Sequence, residues 1–209
     1  MLSSCRGTQG DIIEKDSIPA EEVEKDDKNI DEVDGIIDSM TLDEKIGQLM
    51  IFGLNGTQID DHIQSMIEDN HIGGIILFKY NISSPMQTVE LLNSLKEINS
   101  SNPIPLFLSI DEEGGRVSRL PDSFIKLPGA KRIGDISDSD ISLEFGRILG
   151  KRIKTLGFNM DFAPVLDINS NPKNPVIGDR AFGSTVEPVV RNGLDVMKGI
   201  NSEGVISIV

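Results

Sequence analysis

Five short apolar runs recur along this chain, each separated from the next by residues with helical periodicity. The runs are "LMIFGLNG" (49–56), "GGIILF" (73–78), "IPLFLSI" (104–110), "FNMDFAPVLDI" (158–168) and "GVISIV" (204–209). Between the first two, Ile59, Ile63, Met66 and Ile67 fall on one helical face. "SSPMQTVELLNSLKEI" offers Ser84 as N-cap with Pro85 at the first helical position. "DISLEFGRILGKRIKTLG" is amphipathic and ends at Gly157, a natural C-cap. "STVEPVVRNGLDVMKGI" predicts a helix opened by a capping box from Ser184 to Glu187. Ahead of the repeat, Ile30, Val33, Ile36, Ile37 and Met40 share a helical face, and "TLDE" (41–44) is a further capping box.

Strands alternating with helices form βα units and therefore a parallel sheet. Apolar strands without strict alternation are expected where both sheet faces are covered. A doubly wound sheet and a β/α barrel both satisfy this, and the loops separate them. The helix-to-strand turns are tight ("NHIGG", "TLGF", "NSEG"), whereas the segments after the third and fourth apolar runs are long and polar. Long loops at the carboxyl ends of strands are where barrels keep their sites. A dinucleotide fold would need G-x-G-x-x-G opening the first helix, and "GLNGTQ" is not that. The expected fold is an α/β (β/α)8 TIM-like barrel with only the first half or so present. Four strands and the start of a fifth fall short of eight, and an apolar strand at 204–209 leaves an open edge, so the chain reads as a fragment.

The 209 residues carry a net charge of −14, which excludes nucleic acid as a partner because phosphate binding needs a basic face. Residues 1–34 hold eleven acidic and four basic side chains, half of that net charge. With few aromatic or clustered aliphatic residues they read as a disordered acidic tether, leaving 35–209 as the barrel. No apolar run is long enough to span a bilayer. The single cysteine excludes an internal disulfide, and with two histidines it excludes a Cys/His metal site. No metal and no cofactor are expected. "MLSSC" (1–5) resembles the lipobox of a bacterial lipoprotein, without the charged start and apolar core of a signal peptide. That resemblance implies lipidation at Cys5, membrane anchoring and an extracytoplasmic location. A cytoplasmic protein is the alternative.

One loop poses a chemical question. "SIDEEGGRVSRL" (109–120) sets Asp111, Glu112 and Glu113 side by side at a strand end. Adjacent anions repel, so folding alone gives little reason for them. Either the loop is simply solvated, or something binds there.

"MTLDEKIGQLMIFG", "GGIILF", "PLFLSIDEEGGRVSRL", "GFNMDFAPVLDI" and "VIGDRAFG" occur together in an order and spacing that resemble the N-terminal barrel of glycoside hydrolase family 3. They are most similar to its bacterial β-N-acetylhexosaminidase branch, over about Ile36 to Val209. The resemblance implies hydrolysis of terminal β-linked N-acetylhexosamine from cell-wall or chitin-derived oligosaccharides, by a retaining mechanism. It implies that Asp111 accepts hydrogen bonds from hydroxyls of the terminal sugar and that Arg180, in "GDRAFG", contacts sugar hydroxyls as well. Arg180 could equally be tied to Asp179 or Asp167. Arg116 and Asp167 are further candidates for the pocket. Glu113 is expected to be structural, paired with Arg116 or Arg119, and Gly114 and Gly115 to supply the tight turn. Phe182 should pack beneath its loop, and His62 and His71 should be surface residues away from the site. The branch uses an Asp nucleophile and a His held by an Asp as acid/base, placed after a "K-H-F-P-G-H-G-D" run beyond the fifth strand. None of these lies before Val209, so the binding side of the site is expected here without the bond-breaking residues. The competing expectation is a non-catalytic glycan- or protein-binding surface lipoprotein.

Overall fold

A computed structural model describes residues 27–209. Cys5 and most of the acidic segment lie outside the described residues. The first element, α1 (Asp27–Ser39), forms one unit by itself. It takes in residues 27–34, assigned above to the tether, where the helical periodicity of the sequence already begins.

The second unit runs from Met40 to Val209 and holds the βα repeat. Its elements are α2 (Leu42–Gln48), β1 (Ile51–Gly53), α3 (Asp61–Glu68), β2 (Gly74–Leu77), α4 (Pro85–Ile98) and β3 (Phe107–Ile110). There follow α5 (Ala130–Ile136), α6 (Ser139–Leu156), β4 (Met160–Asp161), α7 (Val186–Ser202) and β5 (Ile206–Ser207). Several ends are set by the caps read from sequence. Thr41 and Glu44 close their box at α2, Ser84 accepts from the Gln87 N–H at α4, and Gly157 ends α6 with φ 109°. The box at α7 does not form. Thr185 rather than Ser184 is the N-cap, which moves Glu187 one place too early in the helix to reach back. Helix α5 lies within the segment read as a continuous loop. It is only seven residues long and holds an internal glycine, too little for periodicity to reveal.

All five strands are parallel and lie in chain order, β1-β2-β3-β4-β5. A doubly wound sheet reverses direction at a switch point, whereas a barrel adds each strand beside the last. The winding is that of a barrel. By register, Ile75 and Leu108 lie level, as do Leu77, Ile110 and Asp161, and all five side chains are buried on the helix-covered face. The alternate set faces the other way. On that face Ser109 and Met160, in the middle strands, are buried, while Ile51 and Ile206, in the outer strands, are exposed.

The tightest helix pair is α6 against α7. An added Cβ at Gly146 would fall 2.2 Å from the Val196 carbonyl, and one at Gly199 would fall 2.2 Å from that of Leu143. Backbones this close leave no room for a side chain. At Gly193, α7 also packs against Leu166 and Phe182, so this wall backs the segment that follows β4.

Candidate sugar-binding cleft

The site is built at the carboxyl ends of β2, β3 and β4. After Ile110 the chain turns sharply through Gly114 (φ 79°) and Gly115 (φ 56°), conformations that other residues reach only with strain. An added Cβ at Gly115 would also stand 2.7 Å from the Gly129 Cα. The Glu113 N–H donates to the Val117 carbonyl at 3.0 Å and closes the turn.

This turn sends the three adjacent carboxylates to separate partners. Asp111 accepts from Arg119 Nη2 at 2.8 Å. Glu112 turns inward, where its carboxylate accepts from the Ser118 hydroxyl and the Arg119 N–H, both at 2.9 Å. Glu113 takes a two-pronged grip from Arg180, Nε to Oε2 at 2.8 Å and Nη2 to Oε1 at 2.6 Å. Such fork-to-fork pairing fixes direction as well as charge. Mutual repulsion is relieved because each anion has its own donors.

Asp111, Glu113, Arg119 and Arg180 line one cavity of about 360 Å³, with Ile76, Val117 and Phe162 as its apolar walls. Asp111 and Arg180 are thus brought together as the sequence suggests, although they follow different strands. Of the remaining expectations some hold and some need correction. Arg116 does not line this cavity. It points outward to Asp179, Nε to Oδ1 at 2.7 Å, and donates to the Val176 and Ile177 carbonyls at 2.6 and 3.0 Å. Asp167 does not line it either, because β4 ends at Asp161 and the chain has already left the strand. Its influence is through space, as one of the carboxylates that favour the charged form of Arg180. Glu113 is structural, but its partner is Arg180 rather than Arg116 or Arg119. Phe182 is buried as expected, and His62 is exposed. His71 is half-buried at the opposite end of the strands, where its Nδ1 lies 2.9 Å from Asn102 Oδ1.

Two residues have roles that the sequence did not suggest. Arg119 reaches the cleft because it lies two residues past Val117 on the same side of an extended segment. Asp161 is fully buried on the helix-covered face, where Oδ1 accepts the Glu112 N–H at 2.9 Å and Oδ2 has no partner among the described residues. Burial, with Glu112, Asp111 and Glu113 nearby, holds the Asp161 carboxyl well above the usual range. Burial also raises Glu112, offset in part by its hydrogen bonds. The Glu113 bond raises Arg180 and keeps it charged. A lone acid inside an apolar strand was the available signal for Asp161. Among the described residues, no group of three or more His, Cys, Asp or Glu is placed to hold a metal ion.

Chemically, the cleft offers anionic acceptors beside guanidinium donors on a partly apolar floor. That set suits a neutral polyol, whose hydroxyls both donate and accept. The family model for the glycosyl hydrolase family 3 N-terminal domain matches residues 41–209. The chain belongs to glycosyl hydrolase family 3. It is 34% identical over 169 residues to a beta-hexosaminidase of Nitrosomonas eutropha, covering 78% of this chain and 47% of that one. Among solved structures it resembles a family 3 beta-N-acetylglucosaminidase from Paenibacillus, with a TM-score of 0.78 and 41% identity. The match covers 81% of this chain and 32% of that one. It also resembles NagZ of Neisseria gonorrhoeae in complex with N-trifluoroacetyl-D-glucosamine, with a TM-score of 0.67 and 29% identity, over 76% and 48% of the two chains. The chain spans less than half the length of the curated relatives it matches. The family confirms the TIM-barrel-like α/β fold that the strand order indicates.

Proposed function

We propose that this chain supplies the sugar-binding side of an enzyme that hydrolyses terminal β-linked N-acetylhexosamine residues from cell-wall or chitin-derived oligosaccharides. The observation that carries this is the convergence of Asp111 and Arg180 in one cleft, each held by a partner of opposite charge, Arg119 and Glu113. Preorganised donors and acceptors bind hydroxyls without first reorganising, which is the main contribution of such groups to rate. Asp111 is the natural acceptor, since its Oδ2 is held by Arg119 and its side chain is 21% exposed, against 7% for Glu113.

The proton-transfer chemistry is not assigned to these residues. A general acid needs a raised pKa and a path to the leaving oxygen. Glu112 and Asp161 have the first and lack the second, for neither lines the cleft. The family resemblance implies that the nucleophile and acid/base of a retaining mechanism are supplied by residues other than these. Lipidation at Cys5 would anchor the enzyme outside the cytoplasm and leave the acidic segment as a spacer. Fatty-acid labelling that survives Cys5→Ser rules that site out.

Full-length enzyme carrying Asp111→Ala tests the reading on a chromogenic N-acetyl-β-glucosaminide. Loss of a charged hydrogen bond and of sugar placement should cost about 2–4 kcal/mol in kcat/KM. Unchanged turnover by a folded variant would reduce Asp111 to a loop residue.

A further inference from the structure

A second cavity lies on the other side of the same loop. Along the extended segment 115–120, Val117 and Arg119 face the cleft, while Arg116, Ser118 and Leu120 line a separate space of about 250 Å³. The rest of its wall comes from Lys79 after β2, the turn at 121–126 and Arg152 on α6. Four cations, Lys79, Arg116, Lys126 and Arg152, therefore face one concavity against a single acid, Asp122. In a chain of net charge −14 this is a local inversion of sign.

Two of the four are already committed to the fold. Arg116 is neutralised by Asp179, and Lys79 donates to the Leu120 carbonyl at 2.7 Å with Asp122 at 3.9 Å. Lys126 and Arg152 form no ion pair among the described residues, although Arg152 favours the charged form of the buried Glu112 through space. Arg152 instead lies over the Phe124 ring, 6.0 Å from its centroid, a placement that fixes the guanidinium while leaving its N–H donors for another acceptor. An oriented fork beside a mobile point charge is the donor set that recognises an oxyanion. We propose that this second cavity is an oxyanion-binding site that takes a carboxylate or phosphate group. Arg152 supplies directed donors and Lys126 supplies charge, while Lys79 and Arg116 are held at the rim by their own partners. The site stands apart from the sugar cleft and does not depend on the hydrolase reading.

Binding to the full chain is read by titration calorimetry and by backbone amide shifts, with inorganic phosphate, glucuronate and, as a neutral control, glucose. At least one of the two anions should saturate with a millimolar dissociation constant, weaken as salt is raised, and shift amides within 115–126. Lys126→Glu, at an exposed position, should weaken it by about tenfold or more, as should Arg152→Gln, while Lys131→Gln on α5 leaves it unchanged. Phosphate binding without glucuronate binding identifies a free anion as the ligand, and glucuronate binding as tight or tighter identifies a sugar-borne carboxylate. Failure of both anions to saturate overturns the site. So do shifts confined to other residues, or binding indifferent to Lys126→Glu. Because amide shifts are read on the unaltered chain, a variant that fails to fold leaves the test decisive.

Discussion

Asp111 and Glu113 turn to one side of the loop after β3, while Glu112 turns to the other and meets Asp161 beneath it. The first pair lines the cleft, and each member faces a guanidinium. The second pair is buried on the helix side with hydroxyl and N–H donors but no paired cation. Burial pushes both of these groups upward, and the neighbouring carboxylates push Asp161 further. Four carboxylates within one short stretch of space are therefore divided by function. The charged pair is set for recognition, and the pair driven toward neutrality holds the loop that presents it. A one-residue step in an extended chain reverses the side a group faces, which is how adjacent residues reach such different surroundings.

The largest effect is expected at Glu113. Its carboxylate is nearly buried and takes both prongs of Arg180. Glu113→Ala leaves the guanidinium half-enclosed without its counter-charge, and breaking such a pair from one side costs about 3–5 kcal/mol. Urea denaturation should show that loss, and kcat/KM of the full-length enzyme should fall as Arg180 drifts. Glu112→Gln, which keeps an acceptor for Ser118 and the Arg119 N–H, should cost far less. Equal losses at the two positions would break the contrast between the pairs.

The second effect is a pH dependence at Asp161. A carboxyl whose folded pKa is raised contributes stability that is complete below the ordinary Asp range. That stability is lost as pH climbs from the unfolded pKa through the folded one, at about 1.4 kcal/mol for each pH unit between them. Asp161→Asn mimics the neutral acid and still accepts the Glu112 N–H. Relative to the variant, the wild-type protein should therefore weaken progressively as pH rises above the ordinary Asp range. Parallel stability curves across that range would show that Asp161 is ionised in the fold and matched by donors.

These contrasts also mark how far the sequence could be read. Helical periodicity and caps with local chemistry, at Thr41, Ser84 and Gly157, were legible because they depend on residues within one turn. The barrel winding was inferred from loop lengths and agrees with the observed strand order. The cleft residues Asp111 and Arg180 came from family resemblance, and the geometry unites them. Ion-pair partners were not legible. Arg116, Arg119 and Arg180 were all plausible mates for the acids at 111–113, and the choice was made by the left-handed turn at Gly114 and Gly115. Asp161 was hidden because "FNMDFAPV" has no alternation to say which face is covered. Asp167 was misplaced because the apolar run continues past the paired part of β4.

The smallest effect sharpens the comparison from outside the cleft. Arg116 and Asp179 meet at 2.7 Å, about as closely as Arg180 and Glu113, yet their side chains are 44% and 59% exposed. Water and salt screen such a pair, which is worth at most about 1 kcal/mol. Arg116→Gln removes the charge but retains amide donors that can reach the Val176 and Ile177 carbonyls. Stability should change by about 0.5 kcal/mol or less, and kcat/KM should stay close to wild type because Arg116 does not line the cleft. A loss as large as that of Glu113→Ala would mean that the bridge between the two loops, rather than burial of the Glu113–Arg180 pair, holds Arg180 in place. Two ion pairs of similar length would then differ in importance for a reason other than their access to solvent.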